Sequence, residues 1–134
     1  MIASSAQQTA DFAAQYAKTL RPGDVVLLRG EMGAGKTVFV QGAARGLGGQ
    51  EQVTSPTYAY MNEYPCAGVT LYHFDCYRLS CGAQAEALGL TDYFYAGGIC
   101  FIEWAENIAD VLPAGCKVVE IVKRGENERE IVCR

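Results

Sequence analysis

Gly30-Glu31-Met32-Gly33-Ala34-Gly35-Lys36-Thr37 spells G-x-x-x-x-G-K-T, and its neighbours on either side decide how the rest of the chain is read. The apolar run Val25 to Leu28 precedes it and reads as a buried strand, while Val38 to Leu47 follows and reads as a helix. A strand feeding a glycine-rich turn that opens a helix is a phosphate cradle. The glycines let backbone N–H groups converge on phosphate oxygens without Cβ clashes, and the helix N-terminus adds partial positive charge. In such a loop Lys36 reaches the terminal phosphates of a nucleotide, and the Thr37 hydroxyl binds Mg²⁺.

Working outward, Ser4 or Ser5 can cap a helix running to about Leu20, with Ala10, Ala13, Ala14, Ala17 and Leu20 on its apolar face. Arg21-Pro22-Gly23-Asp24 breaks it before the first strand, and Gly46, Gly48 and Gly49 end the helix after the loop. Tyr58 to Glu63 and Val69 to Phe74 are strand candidates joined by Tyr64-Pro65-Cys66-Ala67-Gly68. A connection that short makes an antiparallel hairpin, because a parallel crossover needs a dozen residues or more. Ser80 is placed to cap a helix over Ala83 to Leu88, and Ile99 to Ile102 is a short apolar run closed by Glu103-Trp104. Lys117 to Val122 and Glu130 to Cys133 read as strands around the polar turn Arg124 to Glu128. The expected architecture is α/β: a three-layer domain of the P-loop NTPase-like kind, with a mixed, partly antiparallel sheet covered by helices.

With 134 residues, half of them hydrophobic, the chain has material for one core, so residues 1–134 read as a single domain. A net charge of −4 argues against a broad basic face that grips nucleic acid unaided. No apolar stretch approaches a membrane span, and the N-terminus lacks the basic-then-apolar plan of a signal peptide, so the expected address is the cytoplasm. Six cysteines include no C-x-x-C pair and only His73 is available to join them, which disfavours a zinc site. In a reducing compartment most are expected as free thiols acting as small hydrophobes.

A triphosphatase needs an acid near its magnesium, a group that orients the attacking water and often a cation for the developing charge. Asp75 and Glu103 each end an apolar run, so either can stand at the carboxyl end of a strand beside the loop. Spacing alone leaves open which of them touches the metal. In Thr54-Ser55-Pro56-Thr57, Pro56 biases Ser55 toward an extended backbone, which either presents Thr57 toward a γ-phosphate or makes an ordinary turn that starts a strand. His73, inside a strand-like run, reads as a packed core residue with a satisfied ring, and Trp104 as a packed anchor. Arg78 can pair with a carboxylate or a phosphate, Arg124 and Arg129 flank the last turn where exposure is the default, and no arginine finger is evident.

Several nucleotide-binding classes are excluded. Leu47-Gly48-Gly49-Gln50 echoes the signature of transporter ATPases but follows the loop helix directly, leaving no room for their intervening subdomain. The D-x-x-G and N-K-x-D elements of GTPases do not occur, which makes adenine the expected base. A small-molecule kinase needs a substrate insertion and an arginine-rich lid, and the residues between Ser55 and Pro113 are taken up by sheet and short helices.

Gly30 to Thr37, Ser55-Pro56-Thr57-Tyr58, His73-Phe74-Asp75-Cys76-Tyr77-Arg78, Gly89-Leu90-Thr91-Asp92-Tyr93-Phe94 and Ile102-Glu103-Trp104, in this order, resemble the TsaE (YjeE) family over nearly the whole chain. These are small bacterial ATPases required for threonylcarbamoylation of adenosine 37 in tRNAs that read codons beginning with A. The resemblance implies that Lys36 and the loop residues Glu31, Met32, Gly33, Ala34, Gly35, Thr37 and Val38 hold the phosphates of ATP, with Thr37 and Glu103 as ligands of Mg²⁺. It makes Asp75 the Walker-B-like carboxylate and Ser55 to Tyr58, with Thr57, a switch-like segment. It also puts Trp104 and Arg129 beside the nucleotide and Ala6 to Thr9 at the adenine. Cys76 stands where leucine is common, and the chain stops at Arg134, earlier than some relatives. The implied partners are TsaB and TsaD, the latter transferring the threonylcarbamoyl group, so that tRNA is met only through the complex. Two readings follow: a weak ATPase, stimulated by partners, that drives the modification cycle, or a nucleotide-gated binding module in which hydrolysis is incidental.

Overall fold

The computed structural model describes residues 1–49 and 60–134. Ser55 to Tyr58, and Thr57 with them, lie outside the described residues, as does the start of the first hairpin strand. The order of elements is β1 (Ile2–Ala3), α1 (Ala6–Ala17), β2 (Val25–Arg29), α2 (Lys36–Gly46), β3 (Met61–Pro65), β4 (Thr70–Asp75), α3 (Gly82–Ala87), β5 (Ile99–Glu103), β6 (Lys117–Lys123) and β7 (Arg129–Cys133). Two 3₁₀ segments, Leu90–Tyr95 and Ala105–Val111, flank β5.

The strands form one seven-stranded sheet in the order β1-β7-β6-β2-β5-β4-β3. β6, β2, β5 and β4 run parallel at its centre, while β3, β7 and β1 add antiparallel edges. The expected hairpin, the mixed sheet and the three layers are all present. β2 is buried on both faces, which explains its unbroken apolar run. Val26 and Leu28 pack with Phe101, Ile121 and Ile131 under α1 and α2, and Val25 and Leu27 pack with Phe74 and Ile102 under α3 and the 3₁₀ segments, which contribute Ala85, Leu90 and Ile108 to that core. Phe39 of α2 sits at the centre of the first core, its ring within 6.4 Å of those of Phe12, Tyr16 and Phe101.

Ser5 caps α1, its hydroxyl accepting the Gln8 N–H at 3.1 Å, and the Gln8 side chain in turn accepts the Ser4 N–H at 2.7 Å. The first bond satisfies an amide that the opening helical turn leaves unpaired, and the second ties the residue before the cap back onto that turn. The helix ends at Ala17, short of the expected Leu20, because Lys18 to Leu20 continue only as tight turns. α2 begins two residues earlier than its apolar pattern suggests, at Lys36 itself. Ser80 does not cap α3: Cys81 holds that position without a side-chain bond, and the Gln84 carbonyl oxygen of the side chain accepts the Ser80 N–H instead. Strand β1 and the 3₁₀ segments have no counterpart in the sequence reading.

All six cysteines are free thiols. Burial, aided by the nearby carboxylates of Asp75, Glu103 and Glu106, pushes the Cys76 thiol up to about 12. Burial and then Cys116 do the same for Cys100, also to about 12. The folded chain therefore holds two protons that an unfolded chain releases once pH passes the ordinary thiol value of 9.0. That contribution to stability is complete below about pH 9 and is lost as pH climbs toward 12. Urea midpoints measured from neutral pH upward are expected to stay level and then fall above about pH 9, a fall that Cys76→Ala with Cys100→Ala reduces.

Candidate active site

The parallel centre of the sheet brings the carboxyl ends of β2, β5 and β4 to one edge. Leu28 and Glu103 are register partners, as are Asp75 and Glu103, so both candidate acids stand beside the loop that leaves β2. Strand alternation turns Leu71, His73 and Asp75 to the α2 side of β4, and Ile99, Phe101 and Glu103 to the same side of β5. Three chemically active side chains thus face the start of α2.

The loop folds back over that edge and enters α2 through Gly35, whose left-handed backbone (φ 107°) is one that side chains oppose. The Lys36 ammonium donates to the Gly30 carbonyl at 2.8 Å and lies 3.7 Å from Oε1 of Glu103, 5.3 Å from the centre of the Trp104 ring. Its side chain is only 10% exposed, so the cation is held in place rather than solvated. Met32, Gly33, Gly35, Lys36, Thr37, Val38, Asp75, Glu103 and Trp104 line one cleft of about 420 Å³. Lys36, Thr37, Asp75 and Glu103, separated by up to 67 positions in the chain, all line it. Glu31 is exposed at the loop tip and does not line this cleft.

Glu103 is 8% exposed, and its other oxygen, Oε2, lies 2.6 Å from Nε2 of the fully buried His73. His73 is packed in the core as read from the sequence, but its ring is only half satisfied: Nε2 meets the carboxylate, while Nδ1 has no partner among the described residues. The missed signal was the alternation that puts His73 two residues before Asp75 on one face. Asp75 accepts the Tyr77 N–H at 3.0 Å through Oδ1, and its own N–H donates to the Tyr60 carbonyl at 2.8 Å. Trp104 and Tyr60 are the only non-glycine residues with positive φ among those described, both at 58°. Such strain is held where surrounding contacts over-determine it, and here both residues adjoin the strand ends that carry the acids. Trp104 is half-buried and packs on Tyr77 with ring centres 5.0 Å apart, an anchor that also forms a wall of the cleft.

Arg129 departs from its default of exposure. Its Nε donates to the Ala34 carbonyl at 3.0 Å and Nη2 to that of Gly33 at 3.4 Å, while Nη1 binds the carbonyls of Gly125, Glu126 and Glu128. Nearly all of its donors go to backbone, stapling the phosphate-type loop to the β6–β7 turn. Arg129 also lines a second cavity of about 200 Å³ with Ser5, Ala6, Thr9, Val38 and Asn127, across the loop from the first. Arg129→Ala should release the loop, and amide exchange in a peptide spanning residues 30–37 is expected to rise at least about tenfold, since each hydrogen bond from a charged group contributes about 1.5–3 kcal/mol. A lysine at 129 presents one ammonium in place of a planar fork and should not restore protection. Unchanged exchange in Arg129→Ala would show that the loop holds itself. Arg78 is exposed, with no ion pair among the described residues, and Arg124 pairs with Glu130 at the surface.

Among the described residues no group of three or more His, Cys, Asp or Glu side chains could enclose a metal. What the cleft offers is oxygen: the Thr37 hydroxyl and the Asp75 and Glu103 carboxylates. Hard donors in small number suit Mg²⁺, which is held by one or two carboxylates and completed by substrate phosphates and water.

A glycine loop between the central strand and its helix, with a buried lysine and strand-end acids behind it, is the construction of the P-loop NTPase-like class of α/β proteins. The family described as "Threonylcarbamoyl adenosine biosynthesis protein TsaE" matches residues 3–131. The chain belongs to the TsaE family. A Bacillus subtilis protein named tRNA threonylcarbamoyladenosine biosynthesis protein TsaE is 42% identical over 125 residues, covering 93% of this chain and 78% of its own length. A Treponema pallidum protein of the same name is 39% identical over 130 residues, with 97% and 96% covered. The crystal structure of YdiB from Bacillus subtilis superposes with a TM-score of 0.79 at 36% identity, covering 98% of this chain and 80% of that one. Among the described residues no helix is long and apolar enough to cross a membrane.

Proposed function

We propose that this chain is an ATP-binding and ATP-hydrolysing accessory protein of tRNA threonylcarbamoyladenosine biosynthesis, coupling hydrolysis to the cycle of a TsaB–TsaD complex that modifies adenosine 37. Family membership supports the pathway. The observation that carries the chemistry is the meeting of Lys36, Thr37, Asp75 and Glu103 in one cleft at the start of α2.

In this reading the amides of Gly33 to Thr37 and the Lys36 ammonium bind the β- and γ-phosphates. Thr37 and Glu103 hold Mg²⁺, which when bound neutralises charge on the phosphates. Asp75, fixed by the Tyr77 amide, orients the attacking water from the neighbouring strand end. The second cavity, between Ala6, Thr9 and Arg129, takes the adenine. Hydrolysis by the chain alone is slow because no arginine among the described residues lines the Lys36 cleft to meet the developing charge, and partners complete the site. With a net charge of −4 the chain leaves most tRNA contact to those partners, in the cytoplasm.

The test is reconstitution from this chain, TsaB and TsaD homologues, Mg-ATP and unmodified tRNA. ATP turnover is expected to rise when the partners are added, and modified tRNA to accumulate beyond one round per complex only when this chain is present. If neither quantity depends on the chain, the reading fails.

A further inference from the structure

We propose that His73 is a positioning residue for the cleft: it donates Nε2–H to Oε2 of Glu103 and so turns the other carboxylate oxygen, Oε1, toward the cation-binding side. The inference rests on the reading of Glu103 as a magnesium ligand. His73 is fully buried on β4, opposite Phe101 and one pleat back from the Asp75–Glu103 pair, so its ring reaches the carboxylate diagonally across the two strands. The 2.6 Å contact takes up Oε2, while Oε1 lies 3.7 Å from the Lys36 ammonium inside the cleft. A carboxylate with one oxygen bonded into the sheet can present only the other.

The state of the ring follows from its second nitrogen. Nδ1 is buried and has no hydrogen-bond partner among the described residues. A buried N–H without an acceptor costs more than a lone pair without a donor, so the proton belongs on Nε2, where the carboxylate receives it. Groups that bond a metal-binding carboxylate from behind fix its orientation, and their loss typically weakens metal affinity by about 10- to 100-fold.

Two measurements test this. His73 is the only histidine in the chain, so ¹⁵N-histidine NMR needs no assignment. Long-range ¹H–¹⁵N correlations in the wild type are expected to show the Nε2–H tautomer with a slowly exchanging proton, and an Nδ1–H tautomer would overturn the proposal. The second measurement is Mn²⁺ binding, followed by electron paramagnetic resonance, to the chain saturated with a non-hydrolysable ATP analogue. His73→Phe is expected to weaken Mn²⁺ about 10- to 100-fold. His73→Gln, whose amide nitrogen can stand in for Nε2, should recover most of the loss, and analogue affinity in EDTA should be equal in all three proteins. Equal Mn²⁺ affinity in His73→Phe, or equal losses in both variants, would overturn it. Should His73→Phe not fold, His73→Leu takes its place, and the tautomer remains decisive in the unaltered chain. If the wild type itself binds no Mn²⁺ with the analogue while showing the Nε2–H tautomer, the magnesium reading of Glu103 fails and the hydrogen bond stands.

Discussion

Replacing Lys36 with alanine is expected to lower partner-stimulated ATP turnover by about 100- to 1,000-fold, the scale seen when one preorganised group that stabilises transition-state charge is removed. The ammonium is already confined, by the Gly30 carbonyl at 2.8 Å, by Glu103 at 3.7 Å and by the Trp104 ring. A cation with a side chain 10% exposed acts through a medium far less screening than water, and needs little rearrangement to meet a phosphate. Lys36→Arg should not rescue turnover, because a planar fork cannot occupy the place of a compact ammonium against the Gly30 carbonyl. Folding should survive, since Glu103 keeps its bond to His73 and the sheet core is untouched. Circular dichroism and melting of both variants check this before rates are compared. A wild-type rate in folded Lys36→Ala would remove this residue from the chemistry. If a folded variant lacks turnover yet still supports tRNA modification with ATP bound, the nucleotide-gated reading replaces the hydrolytic one.

Gly42→Leu is expected to cost about 3 kcal/mol, at the upper end for overpacking a close contact, and to lower Tm by about 10 °C for a chain of this size. A Cβ at Gly42 would sit 2.2 Å from the Ala10 carbonyl oxygen and 2.7 Å from the Ala10 Cα. These are backbone atoms, so no rotamer change relieves the contact and α1 itself must move. Gly46 meets Ala14 one turn on in the same way, with a Cβ 2.3 Å from its carbonyl oxygen. Glycine inside a helix is unfavourable by about 1 kcal/mol relative to alanine; here that cost is offset by the close approach of two helices. Gly42→Ala is the informative intermediate: its gain in propensity opposes its clash, so it should melt between the wild type and Gly42→Leu. A Gly42→Leu protein that melts with the wild type would show that α1 can retreat freely. Because α1 also lines the second cavity through Ala6 and Thr9, displacement of the helix should reach the site as well.

Much of this was legible beforehand because it depends on local pattern. The loop Gly30 to Thr37 between an apolar run and a helix, the hairpin forced by a five-residue connection, and the apolar stripe of α1 each reflect constraints acting within a dozen residues. Element ends were less secure. α1 stops at Ala17 and α3 starts from Cys81, since the last turns answer to capping bonds and neighbours rather than to periodicity. β1 was invisible because two residues carry no period; it exists through its pairing with Glu130 and Arg129 at the far end of the chain.

The chain by itself determined that a glycine loop would open a helix after a buried strand, and that Asp75 and Glu103 would end strands of their own. Only the folded sheet decided that these acids stand in adjacent register, that His73 bonds Glu103, and that Arg129 braces the Gly33–Ala34 backbone. The reason is physical. Turn and strand preferences are set by neighbours along the chain, whereas strand order and register are chosen by burial over the whole sheet, and a side chain acquires its chemical partner only once that choice is made.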